Sequence, residues 1–232
     1  SRMKPISLMR GFLTVGFWTL LSRLAGFGRD MMMAAYLGSG PVAEAFLVAF
    51  SLPNMFRRFF AEGAFNMAFV PMFAKMLEAG EDAQGFARDA YWGMSAILVG
   101  FTLAGMAAMP WLVLAMAAGF AGDARYDLAV LFGTIAFPYI LFISLTALLS
   151  GMLNASGRFL ATAAVTILMN VMFMGGLWLA HRVGWDAGLT LAWTVPLAGI
   201  AQLVLIWWAV RNAGFRMAFR RPRLTPELRR LA

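Results

Sequence analysis

The sequence predicts an all-α, polytopic membrane protein with six transmembrane helices and both termini in the cytoplasm. Three observations carry this. Of 232 residues, 62% are hydrophobic and only 13% charged, against about 25% charged in an average soluble domain. Four stretches, residues 90–122, 128–157, 159–180 and 187–210, contain no Asp, Glu, Lys, Arg or His. The 19 basic residues are also shared very unevenly among the loops. At about 20 apolar residues per helical span, the length allows roughly six crossings and leaves no room for a sizeable water-soluble domain. A closed barrel would need strands of alternating polarity. The charge-free stretches are apolar on every side, so helices satisfy the backbone in lipid.

The first span is expected at residues 9–36, with Gly26 and Gly28 as bending points. A turn, Gly38-Ser39-Gly40-Pro41, leads into a second helix over 41–75, since glycine permits the bend and proline suits a helix start. Pro53 is expected to hinge that helix by removing an internal hydrogen bond. The remaining spans are expected at 90–118, 128–152, 159–180 and 187–210. Residues 79–89, 119–127, 154–158 and 181–186 form the joints. Together, residues 3–212 make one transmembrane lobe and 213–232 a basic cytoplasmic tail or linker. Ser1-Arg2, ahead of Met3, reads as a cloning remnant, and no cleavable signal follows it.

With six helices the termini share a side. That side would hold Arg2, Lys4, Arg10, Lys75, Arg88, Arg158 and the seven arginines of residues 211–230, while the opposite side holds only Arg125 and Arg182. Such a bias places both termini in the cytoplasm. The net charge of +8 therefore marks orientation, and no nucleic-acid partner is expected. With no cysteine and one histidine, His181, thiolate and multi-histidine metal sites are excluded. No cofactor, metal site or catalytic residue is expected. The tail arginines suit anionic lipid, at about 1 kcal/mol per basic residue near the surface, or simply express the cytoplasmic bias. Trp111, Trp178, Trp185, Trp207 and Trp208 lie near span ends, as an aromatic belt would. Gly175-Gly176 suits close helix packing.

The informative feature is charge at membrane depth: Arg23, Arg29, Asp30, Glu44, Arg57, Arg58 and Glu62. An arginine at a helix centre costs about 2.5–3.5 kcal/mol to insert, so four facing lipid would cost on the order of 10 kcal/mol. They should face a water-filled cavity or one another. Partial self-neutralisation is the structural reading: Arg58 and Glu62 are spaced i, i+4, and Arg23 and Asp30 lie near one face. Four cations against three carboxylates leave positive charge over, which favours an anion site. Arginine suits phosphate or pyrophosphate because its planar fork donates two parallel hydrogen bonds and stays charged. The neighbouring glycines let the backbone approach a ligand. A cationic pocket among greasy helices suits an amphiphile with an anionic head, such as a lipid-linked phosphate. The cations available for such a site are Arg23, Arg29, Arg57 and Arg58, with Ser22, Asp30, Glu44 and Glu62 beside them.

The same residues resemble a known family. Residues 22–30 (SRLAGFGRD) look like the first-helix signature of the MurJ/MviN lipid II flippases. Residues 53–71 (PNMFRRFFAEGAFNMAFVP) look like their second-helix signature. Residues 137–144 (FPYILFIS) and 149–159 (LSGMLNASGRF) match their fourth and fifth helices. The resemblance implies the multidrug/oligosaccharidyl-lipid/polysaccharide exporter fold, two six-helix lobes around a central cavity. It implies transport of lipid-linked peptidoglycan precursor across the bacterial inner membrane, with basic residues at Arg23, Arg29 and Arg57 holding the pyrophosphate. A carboxylate at the position of Glu44 also faces the cavity in that family. The chain reads as the amino-terminal lobe alone, so alternating access requires the carboxy-terminal lobe or a second chain as partner, beside membrane lipids and the lipid-linked substrate. The alternatives are an exporter of another polyprenyl-pyrophosphate-linked oligosaccharide and a non-transporting structural membrane module. An enzyme on such substrates wants clustered carboxylates or a general base. The close acidic pairs, Glu81-Asp82 and Asp123/Asp127, fall in loops, so no enzymatic activity is expected.

Overall fold

The computed structural model describes residues 5–58 and 64–231. Every regular element among them is helical: α1 (Pro5–Tyr36), α2 (Pro41–Arg57), α3 (Ala64–Glu78), α4 (Ala83–Ala107), α5 (Met109–Met116), a 3-10 turn (Ala118–Phe120), α6 (Ala124–Ala136), α7 (Tyr139–Ala155), α8 (Leu160–Val183), α9 (Ala187–Asn212) and α10 (Pro226–Leu231). Among the described residues four stretches are long and apolar enough to cross a membrane: α4, α6 with α7 (Ala124–Ala155), α8 and α9.

Local chemistry explains where these boundaries depart from the expected ones. The 79–89 joint is mostly helix. Asp82 caps α4, its Oδ1 accepting from the Gly85 N–H at 2.9 Å, so the helix begins at Ala83 instead of about 90. An N-cap side chain satisfies an orphan donor of the first turn. The third expected span divides at Ala108, next to Pro110, and the fourth at Phe137-Pro138. A proline lacks the N–H that would continue the ladder. The stretch read as one helix over 41–75 holds α2 and α3, with residues 59–63 between them outside the described residues. α2 runs through Pro53 for a further turn, to Arg57. α1 is likewise unbroken at Gly26 and Gly28. At the first turn, Gly38 adopts φ +76° and Pro41 opens α2, a conformation that favours glycine.

Two apolar cores hold the helices together. The first gathers Phe46, Leu52, Phe132, Phe137, Tyr139 and Phe173 from α2, the α6–α7 junction and α8. The second gathers Phe69, Phe73, Phe86, Leu98, Leu148 and Ile206 from α3, α4, α7 and α9. α8 packs against both α1 and α9. Of the glycine pair, Gly176 makes the close contact: an added Cβ would lie 2.8 Å from Thr194 Oγ1, whereas at Gly175 it would meet open space. Gly26 and Gly28 likewise lie against α8, near Asn170 and Met174. His181 is exposed in the last turn of α8, with its ring 4.8 Å from that of Tyr36. Half-buried Trp207 packs its ring 5.3 Å from that of Tyr91.

The tail is docked rather than loose. Buried Asp89 on α4 accepts from Arg220 at 3.0 Å and from Arg223 Nε and Nη2 at 3.2 Å. The Trp92 indole donates to the Met217 carbonyl at 3.0 Å, and Arg88 Nε donates to the Ala218 carbonyl at 2.7 Å. Arg220 and Arg223 therefore meet protein, while Arg221, Arg229 and Arg230 stay exposed.

Candidate functional site

Helical periodicity sorts the charged residues of α1. Ser22, Gly26, Arg29 and Met33 recur at i, i+4, i+7 and i+11, one face of a helix. These residues are half-buried, on the side that packs on α8. Arg23 and Asp30 fall on the exposed side. Arg29 Nη1 donates to the Asn170 Oδ1 of α8 at 2.8 Å. Its Nε and Nη2 reach Asp30 Oδ1 at 3.4 and 3.3 Å, and the guanidinium carbon lies 6.0 Å from the Phe173 ring centre. Asp30 thus pairs with its neighbour Arg29; among the described residues Arg23 has no ion pair.

Arg57, at the end of α2, lines a cleft of about 280 Å³ against α7 and α8. Ser150 and Asn154 of α7 and Thr162 and Thr166 of α8 share that lining, with Val70, Ile143 and Val165 as apolar walls. Thr162 Oγ1 donates to Asn154 Oδ1 at 3.2 Å, tying the two helices at this point. On α8, Thr162, Thr166 and Asn170 are spaced i, i+4, i+8. One polar stripe therefore connects the cleft of Arg57 to the partner of Arg29. Arg23 and Arg29 both lie outside this cleft lining, so of the three candidate arginines it holds Arg57 alone.

The other candidates are placed as follows. Glu44 sits in the first turn of α2, where Arg125 Nη1 donates to its Oε2 at 2.6 Å. The helix starts at the Gly38–Gly40 turn, so position 44 comes only one turn in, level with the start of α6. Arg125 also donates to Asp123 Oδ2 at 2.8 Å and lies 4.4 Å from the Phe120 ring centre. The Arg125 backbone N–H and its guanidinium hold the Asp123 carboxyl below the usual carboxylate range. Arg58 is exposed at the end of α2. Glu62, its expected i+4 partner, lies outside the described residues. Pro53 is buried within α2. Among the described residues no three His, Asp or Glu side chains gather as metal ligands would.

Sequence reasoning passed over Ser150, Asn154, Thr162, Thr166 and Asn170. A signal was present: three polar residues four apart, in a stretch otherwise apolar from Phe159 to Ala180. Neutral side chains carry no insertion penalty of the size that draws attention to arginine.

Long apolar helices enclosing a polar cleft with a guanidinium in its wall define a polytopic membrane protein with a solute-sized site between its spans. The comparisons narrow that class. The family model described as lipid II flippase MurJ matches residues 33–232. A relative from Rhizobium meliloti, named probable lipid II flippase MurJ, is 49% identical over 97% of this chain and 44% of its own length. One of the same name from Rhizobium tropici is 44% identical, with the same coverage. The lipid II flippase MurJ of Burkholderia cenocepacia is 39% identical over 86% of this chain. A solved structure, lipid II flippase MurJ in an inward closed conformation, shares the fold at a TM-score of 0.73 and 23% identity, covering 94% of this chain and 46% of that one. The chain belongs to the MurJ lipid II flippase family, and it spans less than half the length of the curated relatives it matches.

Proposed function

We propose that this chain is the amino-terminal half of a flippase for lipid-linked peptidoglycan precursor in the bacterial inner membrane. Arg29 and Arg57, with Arg23 from the exposed face of α1, receive the pyrophosphate. Ser22, Asp30, Arg58 and Glu62 tune the local field, and Glu44 anchors the mouth through Arg125. Both termini lie in the cytoplasm, and six crossings are made when α1 and the α2–α3 stretch span the membrane with the four apolar stretches. Translocation by alternating access requires a second body rocking against this lobe around one site. The carboxy-terminal half of the relatives supplies it. The chemistry is transport: no bond of the substrate is made or broken.

The observation that supports this reading best is the common face of α8. Asn170 meets Arg29 there, and two turns away the same stripe walls the cleft of Arg57. Two guanidinium groups directed at one face inside an apolar protein can grip a diphosphate from both ends. The test is complementation in a strain lacking its native flippase, using a full-length flippase whose amino-terminal half is this sequence. Arg23→Ala, Arg29→Ala and Arg57→Ala should each abolish growth with membrane levels unchanged. Normal growth of all three would overturn the assignment.

A further inference from the structure

The cleft wall opposite Arg57 has a chemistry of its own. Elsewhere in the lobe several helical hydroxyls are satisfied locally, while those of Thr102 and Ser144 are buried without a hydrogen-bond partner among the described residues. Thr134, Thr146 and Thr194 each donate to the carbonyl four residues earlier, at 2.7 or 2.8 Å. Such back-bonding is the usual resting state of a hydroxyl inside an apolar helix. Ser150 and Thr166 are unpartnered like Thr102 and Ser144, but they border the cleft; among the described residues neither hydroxyl makes a hydrogen bond. Asn154 accepts from Thr162 through its Oδ1, which leaves its amide nitrogen with two protons to offer. These groups are neutral and line one hollow together with Ile143 and Val70.

We propose that Ser150, Asn154 and Thr166 form a sugar subsite, one that takes the first pyranose ring of a sugar pyrophosphoryl lipid. This rests on the reading that the arginines hold the pyrophosphate. A second phosphate would call for further cations, and this wall has none. A pyranose bears hydroxyls and a ring oxygen that Ser, Thr and Asn can meet as donors and acceptors. Its C–H face can lie on the Ile143 and Val70 side. The stripe from Thr162 to Asn170 rises about 12 Å along α8 at 1.5 Å per residue, a length that accommodates a pyrophosphate with one sugar attached. The arginines thus select the anionic head, and the α7–α8 wall adds selectivity for what the head carries.

The experiment compares two probes against a full-length flippase whose amino-terminal half is this sequence, held in phospholipid nanodiscs: a polyprenyl pyrophosphate without sugar, and the same lipid carrying one N-acetylated amino sugar. The unaltered chain should bind the sugar-bearing lipid more tightly. Ser150→Ala and Thr166→Val, which keep size and remove a hydroxyl, should each weaken that lipid about fivefold, the loss of one neutral hydrogen bond. Binding of the bare lipid should not change. Thr166→Ser should restore the preference, which separates a hydroxyl effect from a packing effect. Equal affinity for both lipids, or equal weakening of both by the two variants, would overturn the sugar subsite. The arginine reading is judged separately: Arg57→Ala should weaken both lipids, and intact binding of the bare lipid by that variant would sink the pyrophosphate assignment alone.

Discussion

Two regions use arginine in opposite ways. In the first turns of α4, Asp89 is buried and takes hydrogen bonds from both Arg220 and Arg223, while the Trp92 indole and Arg88 hold the backbone just before them, at Met217 and Ala218. Cations there meet a carboxylate, and the result is a fastened strand. At the end of α2, Arg57 forms part of the wall of a cleft that also holds hydroxyls and an amide. A count of basic residues cannot separate a guanidinium that fastens the tail from one that borders a cleft; their placement in the fold does. Of the seven arginines in the tail, two close a structural clasp. The smaller set on α1 and α2 supports the functional reading.

The comparison is broken most sharply by exchanging the roles. Arg57→Ala should reduce precursor transport on the order of a hundredfold, the consequence of removing one partner of a charge-assisted contact, and leave the tail as protected as before. Transport assays in proteoliposomes with hydrogen exchange on residues 216–225 read both. Asp89→Ala should do the reverse, raising exchange of those amides about tenfold by releasing a low-stability segment without weakening lipid binding by the lobe. If Asp89→Ala lowers binding as strongly as Arg57→Ala, the two regions are one unit and the distinction collapses. A smaller effect is expected from Asn170→Leu. Arg29 would keep Asp30 but lose its 2.8 Å partner on α8, and affinity for a polyprenyl pyrophosphate should fall about fivefold, as for one lost hydrogen bond.

Hydropathy and charge spacing made much of this architecture readable. The last two spans, expected at 159–180 and 187–210, appear as Leu160–Val183 and Ala187–Asn212. They are long, charge-free and bounded by clear turns. The middle spans were harder, because their ends depend on single contacts. Asp82 extends α4 by seven residues through one cap, and Pro138 divides α6 from α7 inside an unbroken apolar run. At the site, the cost of burying charge drew attention to Arg29 and Arg57. It could not say that Arg29 would turn toward Asn170 while Arg23, six residues away, faced outward. That follows from which side of α1 packs on α8. Neutral residues such as Thr166 carry almost no cost signal, and their part emerges only when α7 and α8 are seen side by side.

The clasp at the other helix ends offers the smallest and most specific test. Arg125 bridges Glu44 of α2 and Asp123, the cap of α6. Because the folded state holds the Asp123 carboxyl below the usual carboxylate range, its contribution to stability is fully present above the unfolded value. That contribution is lost as the pH falls through the lower, folded value. The contacts should therefore survive mild acid, where an unpartnered aspartate is already half protonated, and open only in stronger acid. Carboxyl chemical shifts of Asp123 followed against pH should show a midpoint below that of an unstructured aspartate. Arg125→Gln should move it back up, because it removes the guanidinium while the backbone N–H remains, and Glu44→Gln should change it little. A midpoint for Asp123 that ignores Arg125→Gln would mean the backbone N–H alone sets it, and the bridge between α2 and α6 would have no electrostatic role.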